Sequence, residues 1–279
     1  MPEHVPDIVT LIGCQKAEFN HASRLRTWVL RVQTAIAVLA ALTIPVKFDT
    51  FLYVVAVLAL GLAAVWLYLW NELSESRAHA ERLRRTTLLV GGLGFPLSGA
   101  ELIELCRDGK AASSEAKRLI DPEYFASKKP AGTARLVEML EESAIWTCNL
   151  AKIAGQEAWL LFSGLLLVFV VALFAAAAFV SPSEWQLGAR IIMAILASLL
   201  SADFLGAAIS YGRARDAARR TIDRLQPHKA GNPALEPIML ILGDYNSAVE
   251  GMPPFSSGLY PRHEKRLNEE YKMFLTGPQ

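Results

Sequence analysis

A long stretch without charge constrains the fold of this chain more than any other feature. Residues 158–180 carry no charged side chain, and Ser163 is the one hydroxyl among them. Such a helix is roughly 34 Å long at 1.5 Å per residue, which is enough to cross the apolar core of a bilayer. A polar break at 181–190 and a second apolar run at 191–210 follow. The pattern therefore predicts a transmembrane hairpin over 158–211, in preference to a buried core hairpin of a soluble protein.

An earlier pair of apolar runs predicts another hairpin over 28–70. Its first run covers 28–46, and its second run, 51–70, is twenty residues long without a charge. Three aromatic residues close the second run as a belt of the kind found at membrane interfaces. No convincing strand pattern appears elsewhere. The predicted fold class is therefore an all-α membrane protein with two transmembrane helical hairpins, which makes four spans.

Basic residues set the predicted orientation. Arginines cluster after the second and the fourth span, whereas the two hairpin turns hold only Lys47 and Arg190. Since basic residues are retained in the cytoplasm, both termini and the middle segment are predicted to be cytoplasmic. The predicted domains are an N-terminal cytoplasmic helix (1–27), the first hairpin (28–70), a cytoplasmic segment (71–157), the second hairpin (158–211) and a C-terminal cytoplasmic segment (212–279). The last segment is expected to pack with 71–157 in a mostly helical cytoplasmic domain.

Small side chains recur every fourth residue along the predicted fourth span. In lipid such a stripe lets another helix approach closely, because association there depends on packing. We expect a homo-oligomer, with a tetramer favoured, because four spans alone make a poor pore. Asp203 is the only charged residue in the two spans of this hairpin. Since a lipid-facing carboxylate is costly, Asp203 is expected either to line a water-filled pore or to bond, protonated, to a neighbouring helix. The pore and packing candidates are Ser198, Ala202, Asp203 and Gly206.

Composition and motifs argue against an enzyme. The net charge is +1, and the sequence has no Gly-x-Ser-x-Gly, His-Glu-x-x-His, paired-cysteine or Walker pattern. We therefore expect no catalytic residue, no cofactor and no metal. Glu141 and Glu142 are expected to be solvated on an exposed helix face. The three cysteines show no pairing pattern and are expected to be reduced in cytosolic segments.

Local signals divide the middle segment into helices. The second span is expected to continue as a helix to residue 89 and to end at the glycine cluster 91–94. This cluster is interpreted as a turn and not as a phosphate loop, because no strand precedes it and the Walker lysine is missing. Ser98 and Glu101 have the spacing of a capping box. Thr133 is expected to start a helix that runs straight into the third span.

The basic cytoplasmic side has two explanations. Arginines near the spans serve either topology and contact with anionic lipid headgroups, or the binding of a phosphate-bearing ligand. A small domain attached to a four-helix pore needs a gating signal, which favours a ligand site on the cytoplasmic part as a whole. Tyrosines beside the basic side chains would stack on bases. The candidate ligand-binding residues are Arg82, Arg84, Arg85, Tyr124, Lys128, Lys129, Arg219, Arg220 and Tyr245.

Several short motifs carry a resemblance to a known family. The best local match is Glu-Glu-Ser-Ala-Ile-Trp-Thr at 141–147. Further matches are Asp-Tyr-Asn at 244–246, Pro-Pro at 253–254, Leu-Tyr at 259–260 and Arg-Leu-Asn at 266–268. With its two hairpins around a cytoplasmic segment, the chain resembles the bacterial four-transmembrane pore-forming effectors associated with cGAS/DncV-like nucleotidyltransferases in anti-phage defence.

The resemblance implies a location, a function and partners. The chain would be a multi-pass protein of the bacterial inner membrane, forming an oligomeric ion channel or pore in contact with membrane lipid. A nucleotide or short single-stranded nucleic acid, made by a partner nucleotidyltransferase, would open this pore or hold it closed. Opening would depolarise the membrane and cause growth arrest or cell death. A transporter of ions or small molecules and a non-conducting membrane scaffold are the alternatives.

Overall fold

The computed structural model describes residues 5–43, 48–179, 204–231 and 233–276, and these residues form helices joined by short loops, with no strand among them. The α-helices are α1 (Val5–Leu42), α2 (Asp49–Leu93), α3 (Gly99–Arg107), α4 (Ser113–Arg118), α5 (Thr133–Phe179), α6 (Phe204–Leu225), α7 (Leu235–Glu250) and α8 (Leu259–Thr276). A 3-10 turn, Gln226–His228, follows α6. The all-helical class predicted from the sequence is confirmed for this part of the chain.

Two compact units divide the chain. The polar unit comprises Met1–Arg24, Ser74–Ala154 and Ser210–Gln279. The apolar unit comprises Leu25–Leu73 and Gly155–Ile209. Among the described helices, four, α1, α2, α5 and α6, have residues in both units, so each of them is one uninterrupted backbone with two packing environments.

Within the part of the chain that the structure describes, two helices, α2 and α5, are long and apolar enough to cross a membrane. The most apolar eighteen-residue window of α2 has a mean hydropathy of 2.4 and is 6% buried, and that of α5 has a mean hydropathy of 1.8 and is 22% buried. A core helix of a soluble protein is mostly buried, whereas Tyr53, Leu60 and Leu160 are 74, 73 and 73% exposed. Apolar surface of this extent marks a site of interaction with a membrane or a partner.

The other two predicted spans stay predictions. Residues 28–42 of the first span belong to α1, Thr43 is in a turn, and 44–46 lie outside the described residues. In the fourth span only 204–210 are described, as the start of α6. Ser198, Ala202 and Asp203 therefore lie outside the described residues, whereas Gly206 is half-buried in α6.

The glycine cluster at the end of α2 allows a close approach of helices in the polar unit. A Cβ on Gly92 would lie 2.9 Å from the Cα of Leu136 in α5, and a Cβ on Gly91 would collide with the side chain of Ile8 in α1. The helix ends at Leu93, and the next residue, Gly94, has a φ of +72°, which favours glycine. The predicted turn is thus confined to Gly94, because Gly91 and Gly92 remain helical and serve close packing.

Two predicted helix starts are confirmed. At the start of α3, the backbone N–H of Glu101 donates to Ser98 Oγ over 3.1 Å. The backbone N–H of Ser98 donates in return to Glu101 Oε2 over 2.8 Å, which completes the capping box. The long helix α5 starts at Thr133, as expected, and continues without a break to Phe179.

Two of the three cysteines are paired, which corrects the expectation that all are reduced and unpaired. Cys14 of α1 and Cys106 of α3 form a disulfide with a Cα–Cα distance of 5.7 Å, within the usual range. Both lie in a hydrophobic cluster with Leu11, Leu83 and Leu105. Apolar packing of α1 against α3 brings them together across a sequence separation of 92 residues, which spacing alone does not reveal. Cys148 is free.

Protein purified without reductant is expected to contain a Cys14–Cys106 cross-link and a free Cys148. A loop of this length stabilises the folded state by roughly 4–5 kcal/mol in the chain-entropy description. Cys14→Ser should therefore lower the Tm more in oxidising buffer than in reductant, and peptide mapping after alkylation identifies the linked pair. A link that includes Cys148, or an equal loss of Tm in both buffers, would contradict the pairing.

Candidate functional site

The centre of the polar unit is a buried arginine on α2. The side chain of Arg84 donates from Nε to Glu81 Oε2 over 2.7 Å and from Nη2 to Asn246 Oδ1 over 3.0 Å. Its guanidinium lies 5.1 Å from the ring centroid of Tyr245. Burial disfavours the charge on Arg84, but Glu81, Tyr245 and Glu250 together outweigh this effect, so the pKa of Arg84 is raised. The ion pair is therefore a fixed part of the core.

Tyr245 of α7 links this pair to α5. Its side chain is fully buried. The hydroxyl donates to the backbone carbonyl of Ser143 over 3.1 Å and lies 3.0 Å from Ser143 Oγ and 2.7 Å from Thr147 Oγ1. Because buried hydroxyls need partners, this arrangement holds α2, α5 and α7 in one register. We call Arg84, Glu81, Asn246, Tyr245, Ser143 and Thr147 the polar core network.

Tyr124 lies next to this network, in the segment between α4 and α5. Burial, followed by the nearby Glu142 carboxylate, raises the pKa of the Tyr124 hydroxyl to about 12. Lys16 Nζ lies 4.7 Å from the Tyr124 ring centroid and donates to Asp121 Oδ2 over 2.8 Å. The segment that carries Tyr124 is thus fastened to α1 by an ion pair and a cation–π contact.

Glu141 and Glu142 are buried, which corrects the expectation that they are solvated. Glu141 Oε1 accepts from Gln226 Nε2 over 3.0 Å and from Lys229 Nζ over 2.8 Å. Glu142 Oε2 accepts from the backbone N–H of Ala126 over 2.9 Å, while burial raises the pKa of its carboxyl. The physical reason is that loops pack around this part of α5, so the face opposite its apolar stripe is covered as well.

Six of the nine predicted ligand-binding residues lie at the surface of the polar unit. Arg82, Arg219 and Arg220 are exposed. Arg85 pairs with Glu250 at 2.8 Å. Lys128 and Lys129 pair with Glu123 at 3.7 Å and with Glu138 at 2.7 Å.

Of the remaining three predicted residues, Arg84 and Tyr245 are buried in the core, and Tyr124 is half-buried beside them. Their contacts are with protein groups, and the ligand role of all nine residues stays a prediction. Sequence reasoning missed Glu81 and Asn246, the two partners of Arg84. The i,i+3 spacing of Glu81 and Arg84 is a readable signal for an ion pair. Asn246, which is 162 positions from Arg84, gives no such signal.

Compared with known proteins, the chain matches no family model, no curated protein and no solved structure. The geometry by itself therefore defines the class: a helical protein with two helices of membrane-spanning length and a polar unit built around a buried arginine.

Proposed function

We propose that this chain is a membrane effector of an anti-phage defence system that forms a homo-oligomeric ion channel or pore. In this proposal a nucleotide or oligonucleotide, bound on the cytoplasmic side, opens the pore or holds it closed. The four predicted spans lie in the bacterial inner membrane, with both termini in the cytoplasm. Opening depolarises the membrane and stops growth or kills the cell.

The observation that carries the proposal is the course of α2 and α5. Each helix has one portion in the apolar unit, with its large apolar side chains exposed, and another portion in the polar unit. The polar core network fastens these two helices to each other and to α7 through Arg84 and Tyr245. A rearrangement of this network on ligand binding would act directly on helices that carry the predicted spans, as a two-state element requires.

The charge of the polar unit agrees with an anionic ligand. Arg219 and Arg220 are exposed neighbours on α6, and Arg82 is exposed on α2. Arginine is suited to phosphate because its planar guanidinium donates two parallel hydrogen bonds. Contact of the same arginines with anionic lipid is the competing explanation, so the test must separate the two.

Ion flux from liposomes that contain the purified protein tests this function. We expect flux to change in either direction when a nucleotide or a short single-stranded oligonucleotide is added, and the change to weaken as salt rises. Arg219→Gln with Arg220→Gln should shift the dose response, whereas Lys265→Gln, which removes the charge of an exposed lysine on α8, serves as a control. A pore that ignores every nucleotide would contradict the gating, and an absence of flux would favour the scaffold.

Asp203→Asn is expected to leave insertion and assembly intact and to lower cation conductance or selectivity. A ring of carboxylates attracts cations, and replacing each by a neutral amide of the same shape removes that attraction. Single-channel recording measures the effect. Gly206→Leu, which places a large side chain in the small-residue stripe, is the contrasting variant and should weaken the tetramer. If Asp203→Asn conducts with the parent's cation preference, Asp203 does not line the conducting path.

A further inference from the structure

A cavity of about 260 Å³ lies in the polar unit, away from the polar core network. Its apolar wall comes from Ile8, Val9 and Ile12 in the first turns of α1. Phe125, in the segment before α5, adds an aromatic side. The polar lining comes from Ser127 and Lys128 of the same segment and from Arg135 in the first turn of α5. Apolar and cationic groups thus converge on one partly open cavity, which is the usual composition of a small-molecule site.

The cations at this cavity lack compensation. Arg135 is half-buried, its Nε atom is buried without a hydrogen-bond partner, and its side chain makes no ion pair within the described ranges. The carboxylate one turn further on, Glu138, is occupied by Lys129 Nζ at 2.7 Å and by Ser127 Oγ at 2.6 Å. Lys128 has only a loose, exposed pair with Glu123 at 3.7 Å, which contributes little. A half-buried guanidinium without an acid is costly, so an anion in the cavity would stabilise it.

The wall that carries these groups is held in place before any ligand arrives. The Phe125 ring packs edge-on against Tyr124 with 4.8 Å between centroids. Tyr124 is itself held by the Lys16 ammonium, which lies 4.7 Å from its ring centroid. Preorganisation of this kind lowers the entropy that a ligand loses on binding.

We propose that this cavity binds a small organic phosphomonoester, with its phosphate on Arg135 and Lys128 and its apolar or aromatic part against Phe125. A phosphomonoester carries a charge of about −1.5 to −2 at neutral pH, which matches two cations better than a carboxylate does. The volume lies just below the roughly 300 Å³ at which pockets for drug-sized ligands begin, so one nucleotide is about the upper size. The site goes beyond the proposed function, because it binds its ligand whether or not the protein conducts ions.

Calorimetry on the full-length protein in detergent tests the site with thymidine 5′-monophosphate as the probe. The nucleotide should bind at least about tenfold more tightly than thymidine or inorganic phosphate, because it alone uses both sides of the cavity. Glycerol 3-phosphate, an acyclic phosphomonoester that resembles a lipid headgroup, tests whether such a headgroup binds without an aromatic ring. Oligonucleotides with and without a 5′-phosphate are compared in the same way. Tighter binding of the phosphorylated oligonucleotide shows that the cavity accepts the terminal phosphate of a longer ligand.

Arg135→Gln should weaken the nucleotide about ten- to hundredfold, since charge-assisted hydrogen bonds to the phosphate are lost. Lys128→Gln, at a side chain that is 74% exposed, keeps the test valid if Arg135→Gln fails to fold. Val9→Phe fills the cavity without changing charge and should abolish binding, whereas Lys265→Gln should leave it unchanged. The proposal is overturned if thymidine binds as tightly as its monophosphate. It is also overturned if Lys128→Gln and Val9→Phe bind like the parent, or if no phosphate binds at about 1 mM.

Discussion

Leu60→Arg is expected to keep most of the protein out of the membrane. Leu60 lies near the middle of the predicted second span and is 73% exposed in α2. If that exposed surface faces lipid, replacing leucine by arginine costs about 3 kcal/mol at the helix centre, or roughly a hundredfold in insertion. If it faces water, the same change would shift stability by less than about 0.5 kcal/mol. Leu60→Arg is therefore expected to lower membrane insertion about a hundredfold if this face of α2 contacts lipid, and to have almost no effect if it contacts water.

Ile103→Arg is the matched control for this experiment. Ile103 is also a large exposed side chain, at 66% exposure, but it lies on α3 in the polar unit. Carbonate extraction of membranes from cells that express each variant measures the inserted fraction. We expect the parent and Ile103→Arg in the membrane pellet and Leu60→Arg depleted from it. Equal recovery of all three proteins would exclude lipid as the environment of this face of α2.

Arg84→Ala is expected to lower the free energy of unfolding of the polar unit by about 3–5 kcal/mol, because it leaves the Glu81 carboxylate buried without its partner. Arg84 and Glu81 are 7% and 4% exposed, so water cannot replace the lost contacts. Arg82→Ala, at an exposed position on the same helix, should cost less than about 0.5 kcal/mol. Denaturant unfolding monitored by tryptophan fluorescence measures the difference.

A double variant separates the ion pair from simple packing. Replacing both members by apolar residues, as Arg84→Met with Glu81→Leu, removes the buried charge as well as its partner. Such replacements are often neutral or stabilising, so the double variant should recover most of the stability that Arg84→Ala loses. If the double variant is no more stable than Arg84→Ala, the cost comes from packing and the pair is not the cause.

The local parts of the fold were predictable from sequence, and the tertiary parts were not. The capping box of Ser98 and Glu101 and the start of α5 at Thr133 depend on residues within one turn, where spacing is informative. The cross-link of Cys14 with Cys106 depends on how two helices pack, over a sequence separation of 92 residues. The burial of Glu141 was missed because its covering groups come from a turn that follows α6.

The candidate site shows the same division. Tyrosine and arginine were singled out for their chemistry, and the structure brings Arg84 and Tyr245 together, but as members of the polar core network, in which Asn246 also contacts Arg84. Arg135 was not singled out, because one arginine at a helix start looks like ordinary solvated charge. Arg135 becomes a candidate ligand-binding residue because apolar residues of α1 line the same cavity and because the nearby Glu138 carboxylate is already paired with Lys129.

The close approach at Gly92 has an evolutionary consequence. Glycine inside a helix ordinarily costs about 1 kcal/mol relative to alanine, so selection for stability alone would replace it. Here a methyl group would strike the backbone of Leu136, which no change of side chain at 136 can relieve. The backbone N–H of Gly132 also donates to the Gly92 carbonyl over 2.8 Å, at the same junction. Position 92 is therefore confined to glycine for as long as the ends of α2 and α5 meet, and drift at this junction must occur by moving both helices together.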